Sequence, residues 1–146
     1  MAGQQFCTFY LDGLYFGIEV EGVQEVIRYQ EMTPVPLAPP VIRGLINLRG
    51  QIVTAIDLRR RLELRPRPDG ELPMNVVVRS EDGAVSLLVD EIGDVLETSP
   101  EAFEGPPETL SGVARSLIRG AYKLADRLLL VLDTEKAVGA SSQAAA

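Results

Sequence analysis

An internal duplication constrains this chain more than any other feature. Two strand-like runs at 5–11 and 14–20 are separated by Asp12-Gly13, and two more at 75–80 and 84–89 by Asp82-Gly83. Asp-Gly between alternating apolar runs predicts a tight hairpin, because both residues tolerate positive φ. The match then continues downstream. Residues 23–27 correspond to 92–96, and 41–62 aligns without gaps on 117–138. Within that stretch Ile42/Ile118, Arg43/Arg119, Gly44/Gly120, Leu48/Leu124 and Asp57/Asp133 are identical. Each identity is weak alone; their common order makes chance a poor explanation.

Each unit reads as several short strands and one short helix, with helices expected at 21–27 and 133–138. A unit of roughly 60 residues buries only about 60% of its unfolded surface and is marginal alone. Two such units are therefore expected to share a third apolar core, leaving a groove along their junction for a partner segment. The proline-rich and charged stretch 65–73 reads as a surface connection, and 139–146, rich in Ala and Ser, as a flexible tail. The residues before it, 1–138, are expected to form one domain.

Composition narrows the function. The 146 residues include no histidine, the side chain most used for proton transfer near neutral pH and the commonest metal ligand. The single cysteine, Cys7, excludes an internal disulfide and any cysteine-based zinc cluster. Alternation with Phe9 and Leu11 predicts a buried thiol. No phosphate loop, dinucleotide fingerprint or nucleophile elbow is present. The expectation is therefore a protein that is not an enzyme, with no catalytic residue, no metal and no cofactor. Residues 1–67 carry 8 basic and 7 acidic side chains, 68–146 carry 6 and 14, and nothing basic lies between Arg79 and Arg115. That acidic half argues against nucleic acid. With neither a secretory signal nor a spanning apolar run visible, a cytoplasmic location is expected.

The remaining charges have plain readings. The arginines at 59, 60, 61, 65 and 67 read as a solvated face leading into the connection, and Asp90-Glu91 as solvated carboxylates. Asp57 follows the apolar strand 52–56. Because Asp133 repeats it, a turn cap is favoured over a phosphoacceptor. Arg49, in Asn47-Leu48-Arg49-Gly50, is open between an exposed turn arginine and an ion pair, Glu25 being the best placed carboxylate.

The run from Ile42-Arg43-Gly44 through Asn47-Leu48-Arg49-Gly50 to Asp57-Leu58-Arg59 resembles the signature of the CheW family of chemotaxis coupling proteins, over about residues 5–137. The resemblance implies an all-β fold with short helices: two SH3-like five-stranded β-barrels side by side, roughly 14–66 and 72–138. Strand 5–12 would be open to sharing between them. It also implies a non-catalytic adaptor coupling the cytoplasmic tips of chemoreceptors to the regulatory domain of the histidine kinase CheA, meeting a membrane only through the receptors. By the same resemblance Val23, Glu25 and Arg49 would form the receptor-coupling groove. Gly44, Asn47, Leu48, Gly50 and Asp57 would be structural. An adaptor of a non-flagellar system such as twitching motility, or a stand-alone peptide-binding barrel, are the alternatives.

Overall fold

The computed structural model describes residues 3–81, 83–110 and 112–145, with side chains through Gly139; Asp82 of the second predicted turn and Ala146 of the predicted tail lie outside them. Strands β1 (Gln5–Leu11) and β2 (Leu14–Glu19) form the first hairpin, β6 (Met74–Ser80) and β7 (Gly83–Val89) the second. Asp12 and Gly13 have φ of 48° and 78°, the left-handed pair such a turn requires. The other strands are β3 (Val23–Ile27), β4 (Ile42–Leu48), β5 (Gln51–Asp57), β8 (Glu91–Glu97), β9 (Phe103–Glu104), β10 (Ile118–Lys123) and β11 (Leu128–Leu132). Among the described residues the α-helices are α1 (Leu58–Arg61), α2 (Gly112–Leu117) and α3 (Thr134–Ala145).

The strands make two sheets, ordered β3-β6-β7-β5-β4 and β8-β1-β2-β11-β10-β9. The duplication is therefore reciprocal. Hairpin β1–β2 of the first repeat sits in the sheet of the second, and hairpin β6–β7 of the second sits in the sheet of the first. Equivalent pairings recur in both sheets: β3 with β6 and β8 with β1 antiparallel, β5 with β7 and β11 with β2 parallel. The units expected at 14–66 and 72–138 are thus interleaved, with the whole hairpin and not only strand 5–12 crossing over. The second sheet also has a sixth member, the two-residue β9.

Period-two alternation distributes the core in three parts. Phe6, Tyr15, Leu129 and Val131 point inside the six-stranded sheet, and Val53, Ala55, Val77 and Leu88 inside the five-stranded one. Their neighbours Phe9, Leu11, Phe16, Ile18, Val76, Val78, Leu87 and Leu130 turn the other way and meet in a third cluster, built by both sheets. This is the shared core that the small size of each unit demands. It is the largest of the three.

Equivalent positions of the two repeats do equivalent work. Asp57 accepts from Arg60 N–H at 3.3 Å and caps α1, while Asp133 accepts from Lys136 N–H at 3.2 Å at the start of α3. The amide of Asp57 donates to Val41 O at 2.7 Å, and that of Asp133 to Leu117 O at 2.8 Å. Helix α3 begins where expected and continues past Gly139 to Ala145. Gly44 and Gly120 both lie beneath a crossing segment: a Cβ would stand 2.7 Å from Thr33 O at the first and 2.5 Å from Glu104 O at the second. The backbone N–H and C=O of Thr33 bond Leu45 at 2.9 and 2.8 Å across that approach. Gly44→Ala is expected to push the Thr33 segment outward and cost about 2 kcal/mol, read as a lower urea midpoint at unchanged slope.

Two local expectations are corrected. Residues 23–27, expected as helix, form edge strand β3 after a 3₁₀ turn at Val20–Gly22. Valine and isoleucine prefer the pleated surface, and β6 offers a ladder. Cys7 is half-buried rather than enclosed, and the pairing of β1 with β8 shifts register between Cys7 and Phe9, which breaks the alternation; partial burial still pushes its thiol pKa up.

Candidate functional site

Asn47-Leu48-Arg49-Gly50 is the turn joining β4 to β5. Arg49 and Gly50 take φ of 52° and 89°, and the Asn47 side-chain oxygen accepts from Gly50 N–H at 2.9 Å, fixing the loop. Leu48 is buried in the interior cluster of the five-stranded sheet. The turn aims Arg49 across the open side of that sheet, between edge strands β4 and β3. There its Nη2 donates to Glu25 Oε2. The two readings open for Arg49 meet: it is an exposed turn arginine and it is paired with Glu25. The Arg49 side chain is 73% exposed and that of Glu25 21%. Such a pair contributes roughly 0–1 kcal/mol, so it fixes a surface more than it holds the fold.

Val23 lies on the same strand but on the other side of an irregularity: it pairs with Val78 while Glu25 pairs with Val77. That register shift turns Val23 onto the shared core while Glu25 faces Arg49. Beside Val23 a cleft of about 200 Å³ opens between the sheets, lined by Ile18, Glu19, Arg79, Arg119, Leu132 and Asp133 among others. Arg119 meets Glu19 at 3.2 Å across it. The structure therefore joins Glu25 to Arg49 directly and places Val23 at the seam, two residues away. Gly44, Asn47, Leu48, Gly50 and Asp57 hold the backbone that carries them; Asp57 also faces Arg43 at 3.8 Å.

A second polar centre lies at the first hairpin turn, around Asp90. Asp90, just after β7, receives two bonds from Arg59, two from Arg67 and one from the Asp12 N–H at 2.8 Å. Arg59 also donates to the carbonyls of Arg65 and Pro66, and Arg65 pairs with Asp12 at 2.7 Å. Arg59 and Arg67 have side chains only 9% and 7% exposed. The solvated readings of Arg59, Arg67 and Asp90 are thus overturned, because the connection folds back over the hairpin turns and its charges have to be paired there. Burial alone pushes the Asp90 pKa up. Hydrogen bonds from Arg59 and the Asp12 amide, followed by the Arg59 charge and the Arg67 bonds, outweigh it, and the net shift is downward. The hydrogen bond from Arg65 lowers Asp12 likewise.

Comparison with known proteins identifies the family and the fold. The family model described as CheW-like domain matches residues 5–141. The chain is 32% identical to a chemotaxis protein CheW of Treponema pallidum over 136 residues, covering 90% of this chain and 80% of that protein. It is also 32% identical to one of Klebsiella aerogenes over 142 residues, covering 97% and 86%. The crystal structure of a scaffolding protein CheW from Thermoanaerobacter tengcongensis has the same fold, with a TM-score of 0.83 at 24% identity, covering 92% of each chain. The family match over nearly the whole length, on a fold whose repeated glycines and capping aspartates each have a structural task, establishes that the chain belongs to the CheW-like domain family.

Proposed function

We propose that this chain is a cytoplasmic chemotaxis adaptor that joins the cytoplasmic tips of chemoreceptors to the regulatory domain of the histidine kinase CheA. The chain acts by binding alone. A receptor helix lies along the seam between the two sheets, over Val23 and against the Glu25–Arg49 pair, while the kinase domain occupies a different face. The observation that carries this reading is the ion pair itself. It gives little stability, and it fixes a charged, exposed surface between two edge strands, on a two-residue turn that requires the left-handed pair Arg49 and Gly50. A charged pair held in place where it adds little to stability is a candidate contact surface. No helix among the described residues is long and apolar enough to cross a membrane, so contact with a membrane would come through the receptor.

Arg49→Glu places two like charges together on the exposed rim. It is expected to lower affinity for a receptor cytoplasmic fragment at least tenfold, while thermal stability falls by no more than about 1 kcal/mol. Binding to the kinase regulatory domain should be unchanged. Equal loss of both partners, or unaltered receptor binding, would count against the assignment.

A further inference from the structure

The 3₁₀ turn and the irregular start of β3 need an explanation for their order. Strand β3 is an edge, bonded only to β6, and its register shifts between Val23 and Glu25, so its first residues lack a regular ladder. Edge strands with a bulge open easily. Arg79, on β6, reaches over this point. Its Nη1 donates to the carbonyl oxygen of Glu21 at 3.0 Å and to that of Val23 at 3.2 Å. One guanidinium nitrogen thus ties the middle of the 3₁₀ turn to the first residue of the strand. Arg79 also lines the cleft between the sheets.

We propose that Arg79 is a positioning residue for the docking strand, holding the Val23–Glu25 irregularity in the one conformation that seats Val23 against the shared core at the seam and turns Glu25 toward Arg49, where a helical partner docks. The inference rests on the function proposed above, but its first readout does not. Charge-assisted bonds to backbone carbonyls are stronger than neutral ones, and here two of them converge on an edge strand at its register shift. Sequence patterning offers no hint of this role, since Arg79 follows a run of valines and reads as an ordinary strand-end charge.

The test is Arg79→Ala in the full chain, followed by amide hydrogen exchange and by binding to a receptor cytoplasmic fragment and to the kinase regulatory domain. Exchange of the amides in 23–27 is expected to accelerate about tenfold, with β4, β5 and β7 unchanged. Receptor affinity should fall by a similar factor and kinase affinity should not move. Unchanged exchange in β3, or acceleration spread evenly over the fold, overturns the positioning role. Faster exchange in β3 with undiminished receptor binding overturns its link to docking. A wild-type chain that fails to bind the receptor fragment defeats the proposed function, while the exchange result still decides whether Arg79 orders the strand.

Discussion

Phe16→Ala is expected to lower stability by about 4 kcal/mol, and the melting temperature by about 12 °C. Phe16 is 2% exposed and stacks on Phe9, with ring centroids 5.7 Å apart and planes inclined by 9°. It pairs with Leu130 across the parallel contact of β2 and β11. Truncation removes apolar area and leaves a cavity where hairpin β1–β2 of one repeat enters the sheet of the other. Because the shared core draws on both sheets, the loss weakens the whole chain at once. The variant should still melt in one transition, seen equally by far-ultraviolet and near-ultraviolet dichroism. Two separated transitions would mean that the sheets are stable independently, against the reciprocal exchange of hairpins.

Asp90→Ala is expected to cost about 3 kcal/mol, or about 9 °C in melting temperature. Removing this carboxylate leaves the guanidinium groups of Arg59 and Arg67 buried without their common partner. It also frees the Asp12 amide in the turn of the first hairpin. The pH dependence follows from the downward shifts of Asp90 and Asp12. A carboxyl held lower in the folded than in the unfolded chain contributes its stability in full above the unfolded value, about 3.9. That contribution is lost as pH falls through the folded value. Wild type and Asp90→Ala should therefore differ fully at neutral pH and converge on acidification below about pH 4. Chemical denaturation across that range checks it. A constant difference would assign the effect to packing, not to charge.

Much of this architecture is legible in the residues because the responsible physics is local or periodic. Asp12-Gly13 fixes a turn whatever surrounds it. The gapless match of 41–62 to 117–138 locates paired glycines and capping aspartates, since a duplicated chain reuses the same backbone geometry. Other features are written only in three dimensions. Hairpin β1–β2 has apolar residues on both faces, so it can pack within its own repeat or exchange, and alternation cannot choose. Val23, Val26 and Ile27 fit a helical stripe as well as a strand; the ladder from β6 decides it. The charges of Arg59 and Arg67 look solvated because Asp90 is distant in sequence. The signal available was position: Asp90 directly follows the apolar run of β7, beside a turn that needs its Asp12 amide satisfied.

The Arg49–Glu25 pair falls between these cases. The turn geometry is local and readable. The choice of partner depended on β3 arriving at the open side of the sheet as a strand, and that element was expected as a helix. The pairing is found all the same, because the register shift after Val23 turns Glu25 of β3 toward Arg49.

A ternary co-sedimentation tests the proposed coupling role most directly. Membranes bearing chemoreceptor are mixed with the kinase in the presence and absence of this chain, and the kinase carried down with the receptor is measured. Kinase should pellet strongly only when the chain is added, and Arg49→Glu should sharply reduce that recruitment. Kinase recruitment independent of the chain, or undiminished with the variant, would contradict a seam that docks one partner while the rest of the molecule holds another.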